Sequence, residues 1–406
     1  MTDPLVSVCI GVHNGERYIA ETLSSALAQT YGNLQIIVVD DASTDGTLDV
    51  VKSFDDPRIE IHTLDTNRHM CFAFNEALRH ARGEYIAHLD ADDVWYPQKT
   101  ARQVAYLESH PDVGACFAWP HIIDDQGRNT TYEDAGRAGV TTFHVPNRSH
   151  ARWVRELLDH GNRFCHPSAM VRANVQRDVG EYAYGILQLQ DFDLWTRVLT
   201  RHPVHLIAEP LMAYRILGSG ANASTLDGPA RNRHDAELAD IAYRFVNGLP
   251  ADLFAEAFAD RLRLTGEHTA DEWECEKAFV LLRGLFTLQS NPVLGLRKLH
   301  ELTRERRFVD LLERRFGFTL LDLYAVGRAP VLADSPESTH ELHVEIRRLH
   351  NELTIRDQEI SKLHADATAR EERIAAVARR PEIRAGTAVR NLSQSAVRRI
   401  RGSLGR

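Results

Sequence analysis

Short apolar runs and amphipathic stretches alternate through the first 125 residues. "LVSVCIGV" (5–12) is β-rich and is bounded by Gly11 and Asn14. After it, Tyr18, Ile19, Thr22, Leu23, Ala26 and Leu27 fall on one face at helical spacing. "LQIIVVD" (34–40) is a continuous apolar run, the pattern of a strand covered on both faces. "STDGTLDVVKSF" (43–54) predicts a helix with Ser43 as its N-cap. "RIEIHTL" (58–64) alternates as a strand does, and "CFAFNEALRHAR" (71–82) predicts a helix that ends on Gly83 as its C′ residue. "EYIAHLD" (84–90) supplies a fourth strand. Strand–helix alternation of this kind predicts an α/β fold, a Rossmann-like, mainly parallel sheet with helices on both faces. Ligands of such sheets bind at the carboxyl ends of the strands.

The pattern loosens over 126–230, where helices are expected at 151–160 and 191–202 and two short strands around Pro210 within 204–216. Residues 229–328 read as a helical extension and 329–340 as a linker, so the first domain is set at 1–228. From 341 to 378, Ile346, Leu353, Ile360, Ala367 and Ile374 recur every seven residues, as do Leu342, Leu349, Leu363 and Val377 with Arg356 and Arg370 in the same seam. That heptad predicts a short coiled coil able to pair two copies of the chain; the competing reading is one amphipathic helix packed on its own protein. The last segment, 379–406, places Val389, Leu392, Val397, Ile400 and Leu404 on one helical face and Arg390, Arg398, Arg399 and Arg401 elsewhere. It reads either as a basic amphipathic contact to an anionic membrane surface or as a solvated tail.

Charge sharpens this division. Residues 331–406 hold 14 Lys and Arg against 11 Asp and Glu, a net of +3, which leaves −12 for residues 1–330. An acidic folded part argues against a nucleic-acid partner. No apolar run approaches the roughly 18 residues of a membrane span. The five cysteines are scattered without a CxxC pair, and "MTDPLVSVCIGV" lacks a basic leader. A cytoplasmic protein with reduced thiols is expected, peripheral to the inner face of the membrane if the tail binds there.

The candidate chemistry lies at two strand ends. "VVDDASTDGT" (38–47) and "HLDADDVW" (88–95) each present clustered acids where a buried strand stops. Like charges that close call for a cation. No GxGxxG or GxxxxGK[ST] loop is present to cradle phosphates. Hard carboxylate oxygens suit Mg²⁺ or Mn²⁺, ions that commonly take few protein ligands and share substrate phosphates.

Taken in order, "VSVCIGVHNGERYIAETLSSALAQTY", "LQIIVVDDASTDGT", "ARGEYIAHLDADDVWYP" and "LQDFDLWTRV" resemble glycosyltransferase family 2, the inverting nucleotide-sugar transferases of GT-A fold, over about residues 4–220. The resemblance implies that Val12, His13 and Asn14 line the nucleotide base and that Asp41 accepts a hydrogen bond from it. It implies that Asp90 lies near the ribose and the metal, that Asp92 binds the metal, and that Asp93 supports them or the sugar. Asp191 matches the catalytic base, although an Asp there would also cap a helix. The implied ligands are a nucleotide-sugar donor and a glycan or lipid-linked acceptor, as in synthesis of cell-surface polysaccharide.

Three positions depart from the family pattern. Gln190 stands where a Glu usually precedes the base, His69 where a Gly often follows "NR", and Leu217 where many members carry a metal-binding His. Arg215 is then a candidate to offset phosphate charge. The departures also leave room for a degenerate transferase acting as a scaffold through its coiled coil. A nucleotidyltransferase is a further rival, for which "GVHNGERY" is a poor loop.

Overall fold

The computed structural model describes residues 3–131, 143–217, 228–283 and 292–326. The linker, the heptad segment 341–378 and the basic tail 379–406 lie outside the described residues.

The chain runs β1 (Val6–Val12), α1 (Ile19–Leu27), β2 (Leu34–Asp40), α2 (Thr47–Lys52), β3 (Ile59–Thr63), α3 (Met70–His80), β4 (Tyr85–His88), β5 (Val94–Trp95), α4 (Lys99–Ser109) and β6 (Ala115–Ile123). It continues with α5 (His150–His160), β7 (Met170–Arg172), α6 (Ala173–Val179), α7 (Gln190–Leu199) and β8 (Val204–Arg215). The eight strands form one sheet in the order β3-β2-β1-β4-β7-β6-β8-β5. The half made of β3, β2, β1 and β4 is parallel, as the sequence pattern predicts. The other half is mixed: β7 is antiparallel to both β4 and β6, β5 is antiparallel to β8, and β6 and β8 are parallel.

Alternate residues of one strand enter opposite layers. Val8, Ile10, Ile36 and Val38 pack against α1 and α4 on one face, while Cys9, Ile37 and Val39 join α3, α5 and α7 on the other. This is why the apolar runs are continuous rather than alternating. The helices after the sheet add to the second layer. Helix α8 (Gly228–Gly248) and α9 (Ala251–Ala257) bury Leu238, Ile241, Phe245, Val246 and Phe254 in the same core as Leu194, Trp195 and Val198 of α7. Helices α10 (Ala270–Leu282), α11 (Val293–Leu302), α12 (Arg306–Phe316) and α13 (Leu320–Val326) follow, with a smaller core around Phe279, Leu299, Phe308 and Leu312.

Three local expectations change. Gly83 does not end α3, whose C-cap is Ala81. A Cβ on Gly83 would meet Ser7 N, Leu5 O and Tyr85 O at 2.6–2.7 Å, so glycine is required by backbone packed against backbone. Ser43 does not cap α2, which begins at Thr47; Asp45 Oδ1 accepts from Thr47 N instead (3.0 Å), and Ser43 Oγ accepts from Asn14 N (2.9 Å). Pro210 does not divide two strands. It sits where the β6–β8 ladder slips register, a place that tolerates a residue without an N–H.

Lys99, at the start of α4, is fully buried over the Trp95 ring at 3.9 Å and donates to Gln103 Oε1 (2.8 Å). Burial pulls its ammonium down to about 7. The unfolded chain therefore holds a proton above pH 7 that the folded chain does not, and this residue makes stability rise with pH. The window closes near pH ~8.5, where buried thiols such as Cys9 and Cys116, pushed up to about 12, act in the opposite sense. Lys99→Met should flatten the rise in melting temperature between about pH 7 and 8.5. An unchanged slope would show that Lys99 stays charged in the fold.

Candidate active site

Parallel pairing of β1, β2 and β4 brings their carboxyl ends to one edge. Asp41 is buried there, donating its N–H to Val12 O (2.8 Å) and accepting from His13 Nδ1 at its carbonyl (2.7 Å). Its Oδ1 accepts from Arg68 N at 2.8 Å, which docks the turn before α3 onto the β2 end. Asn14 links the two loops again, taking Thr44 N on its Oδ1 (2.8 Å). Val12 is buried, whereas His13 and Asn14 are exposed at the rim.

Among the described residues three non-glycine residues have positive φ: Asn14 (52°), Ala42 (56°) and His69 (74°). All three lie in the loops that frame Asp41. His69 holds a backbone conformation that glycine adopts freely, which is the physical content of the departure at that position. Strain of this sort costs about 1–3 kcal/mol per residue and gathers at functional sites.

The second acidic group follows β4. Asp93 is fully buried; its Oδ1 accepts from Arg215 N (2.7 Å), and its Oδ2 has no hydrogen-bond partner among the described residues. Burial and the neighbouring Asp92 and Asp90 charges push its carboxyl far above the usual range. Asp92 is pushed up to about 7, by burial first and by Asp90 second. Asp90 Oδ1 lies 2.8 Å from His166 Nδ1. From His166 a buried chain continues through Tyr182 Oη (2.7 Å from Nε2) to His88 Nδ1 (2.9 Å). Burial acts to lower His166, but the Asp90 carboxylate and its hydrogen bond outweigh that and raise it.

Asp191 is the second residue of α7. Its Oδ2 accepts from Asn162 Nδ2 and its Oδ1 from Phe192 N, both at 2.7 Å. Phe164 N holds the other end of the Asn162 amide (3.0 Å), so its NH₂ faces the carboxylate. Burial raises Asp191, with His166 and these two donors working against it. His166 thus stands between two acids, Asp90 by contact and Asp191 by charge.

Arg215 ends β8 with 1% exposure. Nε donates to Asp92 O (2.7 Å), one terminal nitrogen to Asp124 O (3.1 Å), and the other meets Glu21 Oε2 (2.6 Å). The guanidinium thus ties the Asp92–Asp93 turn to α1 and β6, and its charge lowers both acids. Trp95 and Trp195 are both buried in the core.

Sequence reasoning reached the acids but missed Tyr182 and Asn162, which carry no motif of their own, and gave no role to His88, which opens the acidic stretch 88–95. Among the described residues, no three His, Cys, Asp or Glu converge as a metal-holding group. Asp90 and Asp92 nonetheless fit a divalent ion that brings other oxygen ligands with it. They are neighbouring carboxylates, and burial together with the Asp90 charge pushes Asp92 up to about 7.

Residues 7–179 match the sequence profile of glycosyl transferase family 2. "Putative glycosyltransferase EpsE" of Bacillus subtilis is 34% identical over 199 residues, covering 48% of this chain and 66% of that protein. Residues 7–179 thus form a glycosyltransferase family 2 domain. The mixed sheet with flanking helices is the GT-A arrangement. "Putative teichuronic acid biosynthesis glycosyltransferase TuaG" of Bacillus subtilis is 40% identical over 106 residues, 26% of this chain and 42% of that one. The chain thus spans less than two thirds of either relative's length. The family fold is also that of S. aureus TarS 1–349 in complex with UDP-GlcNAc, at a TM-score of 0.51 and 16% identity over 79% of this chain and 88% of that one.

Proposed function

We propose that the chain transfers a sugar from a nucleotide-sugar donor to a hydroxyl of a glycan or lipid-linked acceptor, with inversion at the anomeric carbon. The observation that carries this reading is the placement of Asp41, Asp90 and Asp92 on one sheet edge, with Asp191 within electrostatic reach of Asp90. Asp41, with Val12, His13 and Asn14 around it, receives the base. Asp90 and Asp92 would hold Mn²⁺ or Mg²⁺, which when bound would supply positive charge to offset that on the departing nucleoside diphosphate. Asp93 and Arg215 keep the Asp92 turn in place; Arg215 acts through that turn rather than on phosphate. Asp191 takes the proton of the acceptor hydroxyl as the oxygen attacks from the face opposite the leaving group. Asn162 and the Phe192 N–H aim its carboxylate. The polysaccharide relative named above and the basic tail favour an acceptor of cell-surface type. Among the described residues no helix is long and apolar enough to cross a membrane.

A thermal-shift panel of UDP-, GDP- and dTDP-sugars, with and without Mn²⁺, tests the donor site. One nucleotide should raise the melting temperature in a metal-dependent way, by mass action on the native state. Asp92→Ala should abolish the metal-dependent part. No shift with any donor would favour the scaffold reading.

A further inference from the structure

We propose that Glu237 is a positioning residue for this transfer, holding from α8 the backbone that carries Asp191. The proposal rests on Asp191 being the general base. The Glu237 carboxylate, 6% exposed, accepts three consecutive backbone N–H groups, from Leu187 (2.9 Å), Gln188 (2.9 Å) and Leu189 (3.0 Å). Leu189 is the residue before α7, and that helix has no side-chain cap of its own. The three amides immediately precede the helix, and a carboxylate beside a helix N-terminus gains from the helix dipole as well as from hydrogen bonding. Here that carboxylate comes from 48–50 residues downstream. Arg233 adds a bond to Gln188 Oε1 (3.2 Å), and Arg244 of α8 pairs with buried Asp193 of α7 (2.8 Å).

Asp191 lies two residues beyond the held segment. Asn162 fixes the direction of its carboxylate, and Glu237 fixes the position of the turn from which the side chain departs. A base displaced by about 1 Å loses orders of magnitude in rate while donor contacts on β1, β2 and β4 stay intact. Glu237, on a helix that follows the catalytic motifs in the sequence, is on this account a support of the catalytic base.

The test is a double-mutant cycle. The reaction read is release of nucleoside diphosphate, with Mn²⁺ and with water as acceptor, from whichever UDP-, GDP- or dTDP-sugar raises the melting temperature most. Glu237→Gln should lower kcat about tenfold with donor KM within about twofold, the mark of an interaction used in the transition state. Glu237→Asp, which keeps the charge, should recover part of the loss and carries the cycle if Glu237→Gln does not fold. In the Asp191→Asn background, Glu237→Gln should cost nothing further, because coupled residues are not additive. Arg244→Met, which loosens the same helix pair without freeing the three amides, should lower the melting temperature and leave kcat within about twofold. Unchanged kcat in folded Glu237→Gln, an equal loss in both backgrounds, or a matching loss in Arg244→Met overturns the proposal. A fully active Asp191→Asn, or a wild type that releases nothing from any donor, overturns the reading beneath it, a result distinct from a silent Glu237→Gln beside an impaired Asp191→Asn.

Discussion

Asp191→Asn is expected to lower kcat by about 10²–10⁴-fold, the range that a positioned general base supplies. The donor-dependent thermal shift should survive, because Asp41, Asp90 and Asp92 lie on other elements. The fold should survive too. Asparagine keeps the shape and can still accept from Phe192 N or from Asn162, the two donors on the present carboxylate. Burial raises this carboxyl, so removing its charge takes away a cost of folding and should leave the melting temperature unchanged or higher. Gln190 beside it is neutral, so the charge repulsion that a Glu would add at that place is absent. A drop in rate without a drop in stability or donor binding separates chemistry from packing. A kcat within threefold of wild type would remove Asp191 from the base role, and loss of the donor shift would reassign it to binding.

What the sequence made legible is what depends on near neighbours. The apolar run of β2 reads as a doubly covered strand because each of its residues faces a helix layer on one side or the other. The acids at 41 and 90–93 stand out because a strand end after a buried run has few uses for carboxylates. Gly83 shows where this reading stops. Local rules assign it to a helix terminus, whereas its partners are the backbone of residues 5–7. Ser43 does not cap α2, and its hydroxyl is taken by the N–H of Asn14, far away in sequence. Glu237 is the extreme case: its surroundings in the chain are those of an ordinary surface helix, and only the meeting of α7 with α8 gives it three amides. Tyr182 and His88, the partners that continue the buried chain from His166, escape notice for the same reason, since they are contributed by separate segments. The sequence also misassigned Pro210, because a register slip between two long strands leaves no periodic trace.

Arg215→Met should destabilise the folded chain by about 3–5 kcal/mol, the usual cost of removing one partner from a buried charged cluster. Three acceptors lose their donor at once: Asp92 O, Asp124 O and Glu21. Asp93 keeps the Arg215 backbone N–H but loses the nearby positive charge that offsets its burial. The Glu21 pair is the smaller part of this. Its carboxylate side chain is 54% exposed, and exposed partners contribute about 0–1 kcal/mol. Glu21→Gln should therefore cost little, and the gap between the two variants measures what the guanidinium does for the Asp92–Asp93 turn. Chemical denaturation decides between them, since a stability change at constant slope reports the folded state. Equal losses in both variants would place the whole effect in the surface ion pair. A near-silent Arg215→Met would mean that the turn holds its shape without the arginine, and the case for Arg215 as its support would fail. With the expected order, the end of β8 supplies the cation that steadies the Asp92–Asp93 turn, through Nε to Asp92 O and through charge to Asp93.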